Sequence, residues 1–186
     1  MGVNARLLWV IIIAAAVIAV SSAGCTSNQT TQSPTASAPA SFLSYTNKNA
    51  GVAMSYPSDW QVTGNSGGST IATFEHGNES VSFQIQIIAN QSGKTPQSLA
   101  PSLISGIQKN TSSFSLLENH TASLGGLPGY EIVFTFKSPG GQLYKGLVIW
   151  TVKGNSAYAL PFNGVAAQYD EQIATAQQMI SSFTFT

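Results

Sequence analysis

The chain has 186 residues, 43% of them hydrophobic and only 8% charged, with seven Lys+Arg balanced by seven Asp+Glu. That length buries the core of one ordinary domain and is too short for two well-packed ones. Phosphate binding needs clustered Lys and Arg, which this composition lacks, so nucleic acid is excluded as a partner.

Arg6, an unbroken apolar run over 7–20 and the small residues Ser21, Ser22, Ala23 and Gly24 have the three-part form of an export signal, so residues 1–24 are read as a signal peptide. Cys25 is the only cysteine. It cannot form an intramolecular disulfide, and neither His76 nor His120 stands at metal-ligand spacing from it. Its place after Ala23-Gly24 resembles the lipobox of prokaryotic lipoproteins, which makes Cys25 the candidate lipidation site and mature N-terminus. Ser22 stands where that motif usually has Leu, a departure that fits slow cleavage or an archaeal-type pathway. The other reading is an uncleaved membrane helix over 7–24, which at about 1.5 Å per residue reaches the lower limit for spanning a bilayer. Both readings tether the remainder to the cell membrane on its extracytoplasmic face.

After Cys25 the composition changes. Residues 26–41 are Ser, Thr, Gln, Asn, Ala and Pro without a large apolar side chain, so they form a linker that cannot offset its ordering entropy by burial. As a flexible coil it spans on the order of 20 Å. Residues 42–186 are the folded domain.

Within the domain, Val52-Ala53-Met54-Ser55-Tyr56 and Trp60-Gln61-Val62-Thr63 alternate as strands around a turn in which Pro57 fixes φ. Strands over 71–74 and 81–88 follow, the second half-buried with Val81, Phe83, Ile85 and Ile87 on one face. Thr95-Pro96 offers an N-cap and a first helical Pro, and Leu99, Leu103 and Ile107 recur at helical spacing up to Lys109. Strands over 130–136, 143–152 and 157–162 are rich in aromatic and β-branched residues and are joined as antiparallel hairpins. A final helix over 165–181 carries Tyr169, Ile173, Ala176, Ile180 and Phe183 on one stripe, with Asp170 and Glu171 placed for the positive end of its dipole. The order is not a strict β-α-β alternation, so the fold class is α+β, a central antiparallel sheet flanked by helices.

Gly51-Val52 through Tyr56-Pro57-Ser58-Asp59-Trp60, then Leu124-Gly125-Gly126-Leu127-Pro128-Gly129-Tyr130-Glu131 entering a long strand, and the helix from Tyr169 to Phe183 together resemble a PsbP-like domain. The resemblance covers residues 42–186. It implies an α/β/α sandwich and an adaptor-like role, as in the extrinsic subunits of the oxygen-evolving complex and in lipoprotein relatives of archaea and bacteria. The basic face expected for docking on a photosystem is missing, so no binding residue is carried over.

Gly64-Asn65-Ser66-Gly67-Gly68 matches G-x-S-x-G, but Ser66 lies in a polar stretch between two strands and not on a strand-to-helix elbow. A triad would also need His76 or His120, which fall in segments read as turns. Glu75 and Glu79 bracket a turn where they could share a calcium ion, without the ligand spacing of an EF-hand. Asp59 is read as a turn cap. No cofactor or resident metal is expected. Asn28, Asn78, Asn90, Asn110 and Asn119 each begin an N-x-[ST] sequon in the linker or in segments read as loops, and are candidate N-glycosylation sites.

Three function classes follow. The first is a non-catalytic binding or assembly module for envelope or membrane proteins, held by a lipid anchor. The second is a small solute- or metal-ion-binding lipoprotein, and the third a secreted hydrolase using Ser66.

Overall fold

The structure, a computed structural model, describes residues 41–64, 68–77 and 81–186. Its elements run β1 (Phe42–Asn47), β2 (Val52–Pro57), β3 (Gln61–Thr63), β4 (Thr70–His76), β5 (Val81–Ala89) and α1 (Pro96–Asn110), then β6 (Ser112–Leu124), β7 (Leu127–Lys137), β8 (Leu143–Lys153), β9 (Ser156–Val165), α2 (Ala166–Ser182) and β10 (Thr184–Phe185). They form a seven-stranded sheet in the order β3-β4-β5-β9-β8-β7-β6 and a three-stranded sheet in the order β1-β2-β10. Every pairing is antiparallel.

Alternation along the central strands divides the apolar side chains between two cores. On β8, Leu147 and Ile149 join Phe83, Phe162, Tyr169 and Met179 on the α2 side. Val148 and Trp150 join Leu99, Leu103, Ile107 and Phe134 on the α1 side. Strands buried on both faces read as continuous apolar runs, and Leu147-Val148-Ile149-Trp150 is such a run.

The turn after β2 transfers the chain from the small sheet to the large one. Trp60 N–H donates to the Pro57 carbonyl at 3.1 Å, closing that turn. The Trp60 ring is 4% exposed and belongs to the α2-side core, where Val52 and Met54 of the small sheet also pack. The small sheet thus covers the β4–β5 end of the face on which α2 lies.

Helix α1 begins as its sequence dictates. Thr95 Oγ1 accepts from the Ser98 N–H at 3.2 Å, and Ser98 Oγ accepts from the Thr95 N–H at 2.9 Å, so two otherwise unpaired donors are satisfied reciprocally. Leu99, Leu103 and Ile107 are buried. Helix α2 has no side-chain cap at Val165, and its fully buried residues are Tyr169, Ala176 and Met179. Ile173 and Ile180 are only partly buried.

Four expectations change. The helical share is small, one helix on each face of a mostly β structure, so the helix-flanked sandwich is met only in its coarser form. Residues 112–124, without an assigned strand in the sequence, form the longest strand. Its position at the edge of the sheet leaves most of both faces solvated, and register shifts between Ser112 and Ser115 and between Leu116 and Glu118 break its alternation. β1, largely exposed along its length, was likewise unassigned. Finally, the first turn of α2 holds no acidic residue; Asp170 instead meets Lys145 Nζ of β8 at 2.8 Å.

Candidate functional site

Cys25, Asn28, Ser66, Asn78 and Glu79 lie outside the described residues, and with them the candidate lipidation site, two sequons, the candidate hydrolase serine and half of the candidate calcium pair. The others have definite places. His76 is the last residue of β4 and not a turn residue; its Nε2 is 3.6 Å from Asp59 Oδ2 and its ring 5.6 Å from that of Trp60. Asp59, read as a turn cap, therefore faces His76. Glu75 is also in β4. His120 lies in the middle of β6, with Nε2 3.7 Å from Glu131 Oε1.

β4 and β6 are five strand spacings apart, on the order of 24 Å at about 4.8 Å per spacing. The two histidines therefore cannot act on one substrate atom. Among the described residues no group of three His, Cys, Asp or Glu could hold a metal ion.

The sequons also sort by environment. Asn90 is exposed after β5 with φ +61°. Asn110 ends α1, and its Nδ2 donates to the Gly106 carbonyl at 2.7 Å. Asn119 sits in β6, where its Oδ1 accepts from the Tyr130 hydroxyl at 3.4 Å. Asn110 and Asn119 are thus in regular elements and not in the loops expected.

Two groupings emerge that the sequence did not suggest. The first lies on the α2 side, where α2 stops short of β6 and β7. Glu118 and His120 of β6, Glu131 of β7, Lys145 of β8, and Tyr169 and Asp170 of α2 converge there. Burial raises the Glu131 pKa above the usual glutamate value, His120 pulls it back, and Glu118 pushes it up further. Burial foremost, then the charges of Glu131, Asp170 and Glu118, hold the Tyr169 phenol protonated well above its ordinary range. Lys145 Nζ rests 4.8 Å from the Tyr169 ring centroid while it pairs with Asp170. Recognising this cluster requires β6, because only pairing to β7 sets His120 opposite Glu131.

The second grouping is a cleft at the C-terminal end of α1. Its inner part is an apolar slot between Ile107, Phe134, Phe136, Val148 and Pro161. Its mouth is formed by Thr111, Ser112, Lys137 and Ser138. Phe134 can lie over the sheet there because Gly146 has no side chain; a Cβ at Gly146 would stand 2.7 Å from Phe134 Cζ. Ser113, which follows the mouth residue Ser112 in the chain, holds φ +51°.

The family model of DcrB matches residues 54–182, from within β2 to the end of α2. The chain belongs to the DcrB family. No curated protein matches it in sequence. Among solved structures, cyanobacterial PsbP (CyanoP) from Synechocystis sp. PCC 6803 superposes with a TM-score of 0.63 at 16% identity, covering 84% of this chain and 99% of that one. LpqN of Mycobacterium tuberculosis, involved in cell envelope biogenesis, gives a TM-score of 0.58 at 13% identity, covering 81% of this chain and 87% of that one. At these identities the likeness is one of fold, so the PsbP-like fold holds for this DcrB-family chain. Among the described residues no helix is long and apolar enough to cross a membrane.

Proposed function

We propose that this DcrB-family chain is a lipid-anchored extracytoplasmic module that binds an envelope or membrane protein and catalyses no reaction itself. The observation that carries the reading is the dispersal of its chemistry. Its two histidines sit near opposite sides of the sheet, each with one carboxylate neighbour, while the sheet leaves broad polar areas uncovered. The LpqN-like fold supports it, as does the export signal ending at Cys25. The linker over 26–41 gives the domain reach above the lipid, and of the three described sequons the exposed Asn90 is the best placed to accept a glycan.

A photo-crosslinking residue placed at position 118 or 137, beside the two groupings, should yield discrete adducts with a membrane or envelope protein. The same residue at position 177, on the exposed side of α2, should yield none. Cys25→Ser should release the protein from the membrane fraction and reduce the adducts. Uniform labelling from all three positions, or covalent labelling of Ser66 by a fluorophosphonate with loss of fluoride, would refute the reading.

A further inference from the structure

We propose that the free edge of β6 over residues 118–124 is a strand-addition site for an extended basic segment of the partner, an inference that rests on the binding-module reading above. The phase of the ladder fixes which groups are available. Gly125 and Gly126, with φ +58° and +78°, form a two-residue turn of the type that matches strand twist. Leu124 and Leu127 are then a hydrogen-bonded pair, and bonded pairs alternate with non-bonded ones along the strands. Pro128, which has no N–H, stands opposite Ser123 in a non-bonded pair, as this phase requires. Asn119, Thr121 and Ser123 therefore turn their backbone N–H and C=O groups away from β7. Among the described residues no strand lies on that side.

Edge strands are ordinarily protected by bulges, Pro, Lys or short length. In β6 both register shifts lie before residue 119, and the pairing over 118–124 is unbroken. That stretch contains neither Pro nor Lys.

Charge selects the occupant. Glu118 and His120 share one face of β6, next to Glu131 of β7, and with Asp170 these account for three of the chain's seven carboxylates. Lys145 engages Asp170 and His120 lies beside Glu131, while among the described residues Glu118 is in no ion pair. An added antiparallel strand would set alternate side chains within about 5 Å of those on β6, where Lys or Arg meets Glu118. Leu117, at the register shift just before Glu118, is 50% exposed and adds an apolar side chain to the same edge strand. A second copy of this chain suits the edge less well, because two-fold pairing of β6 strands brings both copies of Glu118 and Glu131 onto one face.

The test uses the full-length protein in detergent micelles and two fluorescent heptapeptides, one alternating Thr with Lys and the other Thr with Glu, followed by anisotropy at low salt. The Lys peptide should bind at least about tenfold more tightly than the Glu peptide, a difference that added salt shrinks. Glu118→Gln should weaken the Lys peptide several-fold. Thr121→Pro should abolish binding, because it removes an outward N–H while leaving the bonds to β7 intact. Should Thr121→Pro melt early, His120→Lys, exposed on the same face as Glu118, keeps the fold and repels the Lys peptide. Equal binding of the two peptides, binding of neither, or binding unchanged by Thr121→Pro or His120→Lys would overturn the assignment. So would self-association of the protein alone that Thr121→Pro abolishes, which would make the second copy the occupant. Adducts from position 137 in the crosslinking experiment would leave the binding-module reading standing even then.

Discussion

Trp150 is the residue whose truncation should cost most. It is fully buried, its ring lies 5.3 Å from that of Tyr130, and its Nε1 donates to the Pro96 carbonyl at 2.8 Å, so it fastens the first turn of α1 to the sheet. Trp150→Ala removes the indole and opens a cavity that Leu99, Leu103 and the sheet cannot fill, at about 3–5 kcal/mol. Against the roughly 5–15 kcal/mol that stabilises a domain, that is a large share. Each kcal/mol is worth about 2–4 °C in a chain of this size, so the melting temperature should fall by roughly 6–20 °C. Trp150→Phe separates the two contributions, since it keeps most of the apolar area and loses the donor. It should cost less than half as much. Calorimetry reads both variants, and amide exchange should show α1 opening before the sheet in Trp150→Ala. A Trp150→Ala protein melting within about 3 °C of the parent would refute the account of α1 docking.

Met179→Asp should prevent folding by burying an unpaired charge, whereas Ile173→Asp, at a partly buried position, should leave a folded protein with a lowered melting temperature; circular dichroism distinguishes them. Gly129→Ala should destabilise more than Gly146→Ala, because the new Cβ would stand 2.8 Å from the Trp150 backbone carbonyl in the first and 2.7 Å from the tip of the Phe134 ring in the second, which can shift. Glu131 holds its proton more tightly folded than unfolded, so its contribution is favourable below the ordinary glutamate range and is lost as pH rises through its raised folded value. Glu131→Gln, neutral throughout, should therefore melt higher than the parent at neutral pH and lose that advantage in acid.

Elements with strong local signals were legible. Thr95-Pro96 set the start of α1, the aromatic runs set β7 to β9, and Pro57 set the turn that delivers Trp60 to the core. β6 was not, because Asn119-His120-Thr121 carries no apolar alternation when one side of a strand has no neighbour and a bulge shifts its phase. Missing β6 hid the acidic grouping with it, since Glu118, Glu131 and Asp170 are far apart in sequence and meet only through pairing. The α2 stripe missed Met179 for a related reason, and its Ile173 and Ile180 are only partly buried. Met179 is buried in the α2-side core, which holds Val52 and Met54 of the small sheet as well as the large one, and no helical period reveals a second sheet.

The uncovered areas follow from widths. Six spacings of about 4.8 Å make the large sheet roughly 29 Å across, whereas one helix covers about 10 Å of it. On the α1 side the helix lies over β6, β7 and β8, and the remainder carries Ser82, Gln84, Gln86, Thr73 and Asn163, with Gln86 Nε2 bonded to Gln84 Oε1 at 2.8 Å. On the other side α2 lies over β8, β9 and β5 and the small sheet covers the β4 end, leaving β6 and β7 with Glu118, His120 and Glu131. Polar residues thus occupy the places that helices leave open, diagonally across the sheet. A face that only needed to stay soluble could scatter its charges, and this chain has few to scatter. Setting Glu118 and Glu131 together beside a free strand edge concentrates the field where a basic strand would enter, which is why the edge of β6, and not the amide-lined face above β5, is where we place the partner.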